Sequence, residues 1–131
     1  MEFVGTWMLK EQVGYEEFMK LMGVPEQYIA AGKNAPVTLK VECSDGENFV
    51  VTTTTGPKSW TDTFKVGEPA TICGPGQRPI NTVVHLVDGK LTGEYEIGGT
   101  NLQACRQVVG DKLHDILSTE GITFKRIFDR Q

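Results

Sequence analysis

From Pro36 onward, hydrophobic and polar positions alternate with a period of two, and no helical spacing interrupts them. Val37, Leu39, Val41 and Cys43 alternate with Thr38, Lys40 and Glu42, and Ser44-Asp45-Gly46 supplies a turn. The same reading predicts strands over Phe49–Thr55, Trp60–Val66, Ala70–Cys73, Ile80–Val87, Lys90–Glu96, Asn101–Val109, Lys112–Ser118 and Ile122–Arg130. The breaker-rich stretch Gly74–Pro79 between two of them reads as a loop with Arg78 at its exit. Upstream, Phe3–Val13 reads as a first strand. The period then changes: Tyr15, Phe18, Met19 and Met22 recur at helical spacing, and Gly23 stands where a helix stop belongs. Pro25 suits the first turn of a second short helix, Pro25–Ala31, closed by Gly32.

Ten strands joined by hairpin-length turns imply an all-β, antiparallel up-and-down meander. Two short helices cannot cover the edges of so large a sheet, whereas closure into a barrel removes the edges. A barrel of that size is too wide for side chains alone to fill. Asp62 shares a face with Trp60 and Phe64, and Thr53 shares one with Phe49 and Val51, so an inward orientation makes the interior partly polar. Such an interior suits an amphipathic ligand better than a dry core.

The last strand carries the sharpest clue. Phe124, Arg126 and Phe128 fall on one face, Lys125 and Asp129 on the other, which sets a guanidinium between two aromatics on the side a sheet normally buries. Arginine keeps its charge there, so Arg126 requires an anion, either a ligand or an internal carboxylate such as Asp62. Arg106, between Ala104 and Val108 on its own face, raises the same question.

Bulk properties narrow the function classes. The 131 residues predict a single domain, 1–131, large enough to fold without disulfides or metals. A net charge of -4 argues against a nucleic-acid partner. The chain has no apolar run of signal or membrane-spanning length, which makes the cytoplasm the expected compartment. Cys43, Cys73 and Cys105 are odd in number and widely spaced, and with His85 and His114 they lack zinc spacing, so neither disulfide, metal nor cofactor is expected. The two histidines are far apart in sequence, and Ser44, Ser59 and Ser118 lie in or beside turn signals without a nucleophile motif, which predicts a non-enzyme.

Gly5, Trp7, the helix pair, Phe64-Lys65-Val66-Gly67 and the closing Phe124-Lys125-Arg126-Ile127, taken in order and spacing, resemble the cytoplasmic fatty-acid-binding protein family, the intracellular lipid-binding proteins, over essentially the whole chain. The resemblance implies a calycin-like ten-strand barrel capped by a helix-turn-helix lid at Tyr15–Gly32, with a portal that includes Thr55–Lys58 and Gly74–Arg78. It also implies a cavity for fatty acids or related lipids, whose head group commonly meets two arginines twenty residues apart and a tyrosine two positions beyond the second. Arg106 and Arg126 stand at that interval, but Phe128 stands where the tyrosine belongs. FKRI, YEEFMKLMGV and VGDKL are closer to the liver-type and ileal bile-acid-binding branches.

The expected function is therefore reversible intracellular binding and transport of a long-chain fatty acid or similar anionic lipid. Arg106 and Arg126 are expected at its head group, with Tyr15, Phe18, Met19, Met22, Thr53, Trp60, Asp62, Phe64, Arg78, Ala104, Leu117 and Phe128 as cavity wall and lid. The alternatives are a bile acid, retinoid or other rigid amphiphile in the same fold, or an isomerase or hydrolase acting on a bound lipid. The chain is expected to be a monomer in transient contact with membranes or a nuclear receptor. The lid sets Lys20 and Lys33 against Glu16, Glu17 and Glu26, which weakens steering toward anionic membranes.

Overall fold

The computed structural model describes all residues from Met1 to Gln131. Strand β1 (Gly5–Val13) leads into helices α1 (Tyr15–Leu21) and α2 (Glu26–Gly32). The strands β2 (Val37–Cys43), β3 (Asn48–Thr55), β4 (Lys58–Lys65), β5 (Pro69–Cys73), β6 (Pro79–Val83), β7 (His85–Val87), β8 (Lys90–Ile97), β9 (Thr100–Val109), β10 (Lys112–Thr119) and β11 (Ile122–Arg130) follow. Nine of them form one antiparallel sheet in the order β4-β3-β2-β1-β11-β10-β9-β8-β7, and β5 and β6 form a separate hairpin. That hairpin packs between β4 and β8, which curls the whole into a barrel.

The run expected as one strand over Ile80–Val87 is two, β6 and β7, interrupted at Val84. The interruption has a visible cause: the Val84 carbonyl accepts a 2.8 Å hydrogen bond from the Gly67 N–H. Its acceptor is thus spent on the turn after β4. A second irregularity lies between β4 and β5, which lie side by side with no ladder between them. Here the Asp62 carboxylate crosses the gap and accepts from the Cys73 N–H at 3.0 Å. Pro25 precedes the second helix as its cap, and its carbonyl accepts from the N–H groups of Tyr28 and Ile29 at 2.9 and 3.1 Å.

Two apolar clusters hold the barrel. One gathers Phe3, Trp7, Leu39, Phe49, Leu113 and Phe128, and the N- and C-terminal segments meet beside it. The Arg130 guanidinium lies 4.1 Å from the Trp7 ring and donates to the carbonyls of Val4 and Glu2 at 2.8 and 2.6 Å. The other gathers Phe18, Met22, Ile80, Ile97, Leu102 and Phe124, and it seats α1 on the barrel. Phe18 is fully buried and its ring centroid is 5.3 Å from that of Phe124. Seven-residue helices are marginal alone, so packing of this kind helps to keep the lid folded.

Candidate functional site

Between the two clusters lies a cavity of about 650 Å³, in the size range of small-molecule sites. Alternation along each strand decides what faces it. On β4 the inward set is Trp60, Asp62 and Phe64; on β9 it includes Ala104 and Arg106; on β10, Asp115 and Leu117; on β11, Phe124 and Arg126. Thr53 on β3 and Tyr95 on β8 also line it. Tyr15, Met19 and Met22 of the lid close one side, and the turns at Gly56–Lys58 and Gly74–Arg78 stand at the rim. Arg78 ties these parts together, donating to the Met22 carbonyl at 2.7 Å.

Two residues expected on the wall are elsewhere. Phe18 and Phe128 do not line the cavity: each is fully buried, Phe18 beneath the lid against Phe124 and Phe128 in the core around Trp7. Phe128 does point inward, with its ring 5.3 Å from the Arg126 guanidinium carbon, and Phe124 flanks the same guanidinium at 5.5 Å.

The anion that Arg126 requires is Asp115, not Asp62. Arg126 donates to Asp115 Oδ2 through both Nε at 3.2 Å and Nη2 at 2.5 Å, while Arg106 Nε donates to Oδ1 at 3.3 Å. Asp115 is 5 % exposed at its side chain, the arginines 20 % and 28 %. The arrangement follows from register. Asp115 is the direct cross-strand partner of Arg106 on β9 and of Arg126 on β11, so one carboxylate sits between two guanidiniums in a single row. Burial by itself would raise the Asp115 pKa, but the two arginines outweigh it and hold the carboxyl below its usual value.

Two further groups complete the polar end. Burial raises the Tyr95 pKa to about 12, with the Asp115 charge acting in the same direction and the two arginines against it. The phenol is therefore a neutral donor close to the Arg–Asp–Arg row. Burial also raises the Asp62 pKa, opposed by the Cys73 N–H and the charge of Arg106. Reading the sequence missed both Asp115 and Tyr95. The signal for Asp115 was present: it stands as far from the Gly110-Asp111 turn as Arg106 does, and as far from Glu120-Gly121 as Arg126 does. For Tyr95 only the alternation of β8 was available, and that says inward, not beside what.

The cavity thus sets the Arg–Asp–Arg row in a wall rich in apolar side chains. No cluster of three or more His, Cys, Asp or Glu side chains is arranged to hold a metal ion. The family model described as lipocalin / cytosolic fatty-acid binding protein matches residues 1–131. Fatty acid binding protein 1-A, liver, from Danio rerio is 33% identical over 131 residues, spanning 99% of this chain and 98% of that protein. Gastrotropin from Oryctolagus cuniculus is 28% identical over 131 residues, with the same coverage of both chains. Among solved structures, the fluorescent protein UnaG superposes with a TM-score of 0.89 at 26% identity, covering 99% of this chain and 98% of that one. A match along the full length, on a barrel whose cavity carries paired arginines, means that this chain belongs to the lipocalin / cytosolic fatty-acid binding protein family.

Proposed function

We propose that this protein binds and carries one fatty acid or similar single-chain lipid, its polar end at the Arg106–Asp115–Arg126 row and its tail along Met19, Phe64, Ile72 and Leu117. The observation that carries this reading is the asymmetry of the cavity, whose guanidiniums stand in a lining otherwise rich in apolar side chains. Family membership supports a cytoplasmic carrier without catalytic activity.

Affinity in this reading comes mainly from the tail. Each buried CH₂ contributes about 0.8 kcal/mol, so a sixteen-carbon chain supplies roughly 10 kcal/mol before ordering costs. A hydrogen bond to a charged group adds only about 1.5–3 kcal/mol. The head group sets orientation and the tail sets strength.

The protein acts as a monomer in this reading, and its contacts with membranes or a nuclear receptor are transient. Lys33 is paired with Glu16 at 2.6 Å, which leaves Lys20 as the lid's free lysine and supports weak steering to anionic membranes. Titration of delipidated protein with a fluorescent fatty acid tests the assignment. Wild type is expected to saturate, and Arg126→Gln to bind at least roughly tenfold more weakly, because Asp115 then faces the carboxylate with one arginine instead of two. Equal affinity of the two would remove the head group from this row, and no uptake by wild type would sink the carrier reading.

A further inference from the structure

We infer that Asp115 is a resident counter-ion that sets head-group selectivity, so that the cavity accepts uncharged single-chain lipids with an amide or hydroxyl head about as well as fatty-acid anions. The inference rests on the carrier reading above and concerns which heads that carrier takes. Three observations carry it.

The first is that the usual grip on a carboxylate is already occupied. Arginine holds a carboxylate best with Nε and a terminal nitrogen acting together as a fork. In Arg126 both of those donors point at Asp115 Oδ2, and in Arg106 Nε points at Oδ1. What remains for a ligand is Nη1 of Arg126 and the two terminal nitrogens of Arg106. These are not sealed away, since no buried side-chain nitrogen or oxygen lacks a partner.

The second is the local charge. Two guanidiniums are met by Asp115, and Asp62 lines the same cavity within electrostatic reach of Arg106. With Asp62 ionised, the polar end sums to neutrality. An arriving carboxylate thus meets two resident carboxylates as well as two arginines, and its net Coulombic gain is small.

The third is hydrogen-bond capacity. A fatty-acid anion can only accept, whereas a primary amide or hydroxyl both donates and accepts. The polar end offers both kinds of partner: guanidinium and phenol donors from Arg106, Arg126 and Tyr95, and carboxylate acceptors from Asp115 and Asp62. Phe128 removes the phenol that would have favoured an anion at Arg126, and Tyr95 returns one from a different strand. An amide head can therefore satisfy itself here as fully as a carboxylate.

The test compares oleate with oleamide, each displacing a fluorescent probe from delipidated protein at neutral pH. Wild type is expected to bind the two within roughly fivefold of each other. Asp115→Asn is expected to shift the oleate-to-oleamide affinity ratio toward oleate by roughly tenfold, since it removes a charge and keeps the side chain's shape. Asp62→Asn retains an oxygen for the Cys73 N–H and leaves the Arg–Asp–Arg row intact, and it is expected to shift the ratio the same way to a smaller extent. A wild-type preference for oleate above about a hundredfold, or no shift of the ratio toward oleate in either variant, would overturn the inference while the carrier reading stands. Displacement by neither lipid would overturn both.

Discussion

At the scale of single residues, Asp115 and Tyr95 are a pair of acids pushed in opposite directions by one environment. The folded state holds the Asp115 pKa below its unfolded value near 3.9. Its stabilising contribution is therefore complete above that pH and is lost as the pH falls through the lower, folded value. Asp115→Asn is expected to cost about 2 kcal/mol at pH 7 and to flatten the decline in urea midpoint below about pH 4 relative to wild type. Equal slopes would mean that the carboxylate is not ionised between the arginines. Tyr95 has the reverse sign: its pKa is raised to about 12, so stability that depends on its neutral phenol is present below about pH 10 and fades above it. In an absorbance titration of tyrosinate, the latest phase is expected to vanish in Tyr95→Phe.

At the scale of elements, the lid is held by two small devices. Gly14 joins β1 to α1 with φ near +81°, and a side chain there would run into the carbonyl oxygen of Thr123 on β11. Backbone conformation and close approach both demand glycine. Gly14→Ala is expected to lower stability by about 2 kcal/mol in urea unfolding and to loosen the lid. Arg78 is the second device, binding the turn after β5 to the end of α1 through the Met22 carbonyl. Arg78→Ala is expected to speed dissociation of a bound fluorescent fatty acid severalfold in stopped-flow, with a smaller change at equilibrium. An unchanged off-rate would place the route of exit elsewhere. Most of these elements were legible beforehand, because alternation and breakers mark strands and turns directly. The split at Val84 was not, since Ile80–Val87 contains no glycine or proline and a hydrogen bond from the distant Gly67 marks the interruption.

At the scale of the whole molecule, a cavity with a wall rich in apolar side chains makes chain length the main variable of affinity. Each CH₂ removed from a saturated fatty acid is expected to weaken binding about two- to fourfold, with the same slope in wild type and Asp115→Asn. Parallel slopes would separate tail from head, whereas a slope altered by the variant would mean that the lipid lies differently. Saturating oleate is also expected to raise the thermal midpoint, by about 2.7 kcal/mol of stabilisation at a hundred times its dissociation constant.

The sequence by itself determined the barrel, its lid and the inward arginine of β11, because period, turn residues and side-chain chemistry are local properties of the chain. It also set the demand for an anion, since a guanidinium cannot discharge itself. Only the tertiary structure decided which anion answers. Asp62 and Asp115 both face inward, and the turn spacing that singles out Asp115 has force only once the two hairpins adopt that register. Strand register separates the two: it lays Asp115 directly across from Arg106 and Arg126, and the gap between β4 and β5 engages Asp62 with the Cys73 N–H. The same register placed Phe128 in the core beneath the arginine and brought Tyr95 to the polar end, because neighbours across a sheet are set by pairing, whatever their distance along the chain.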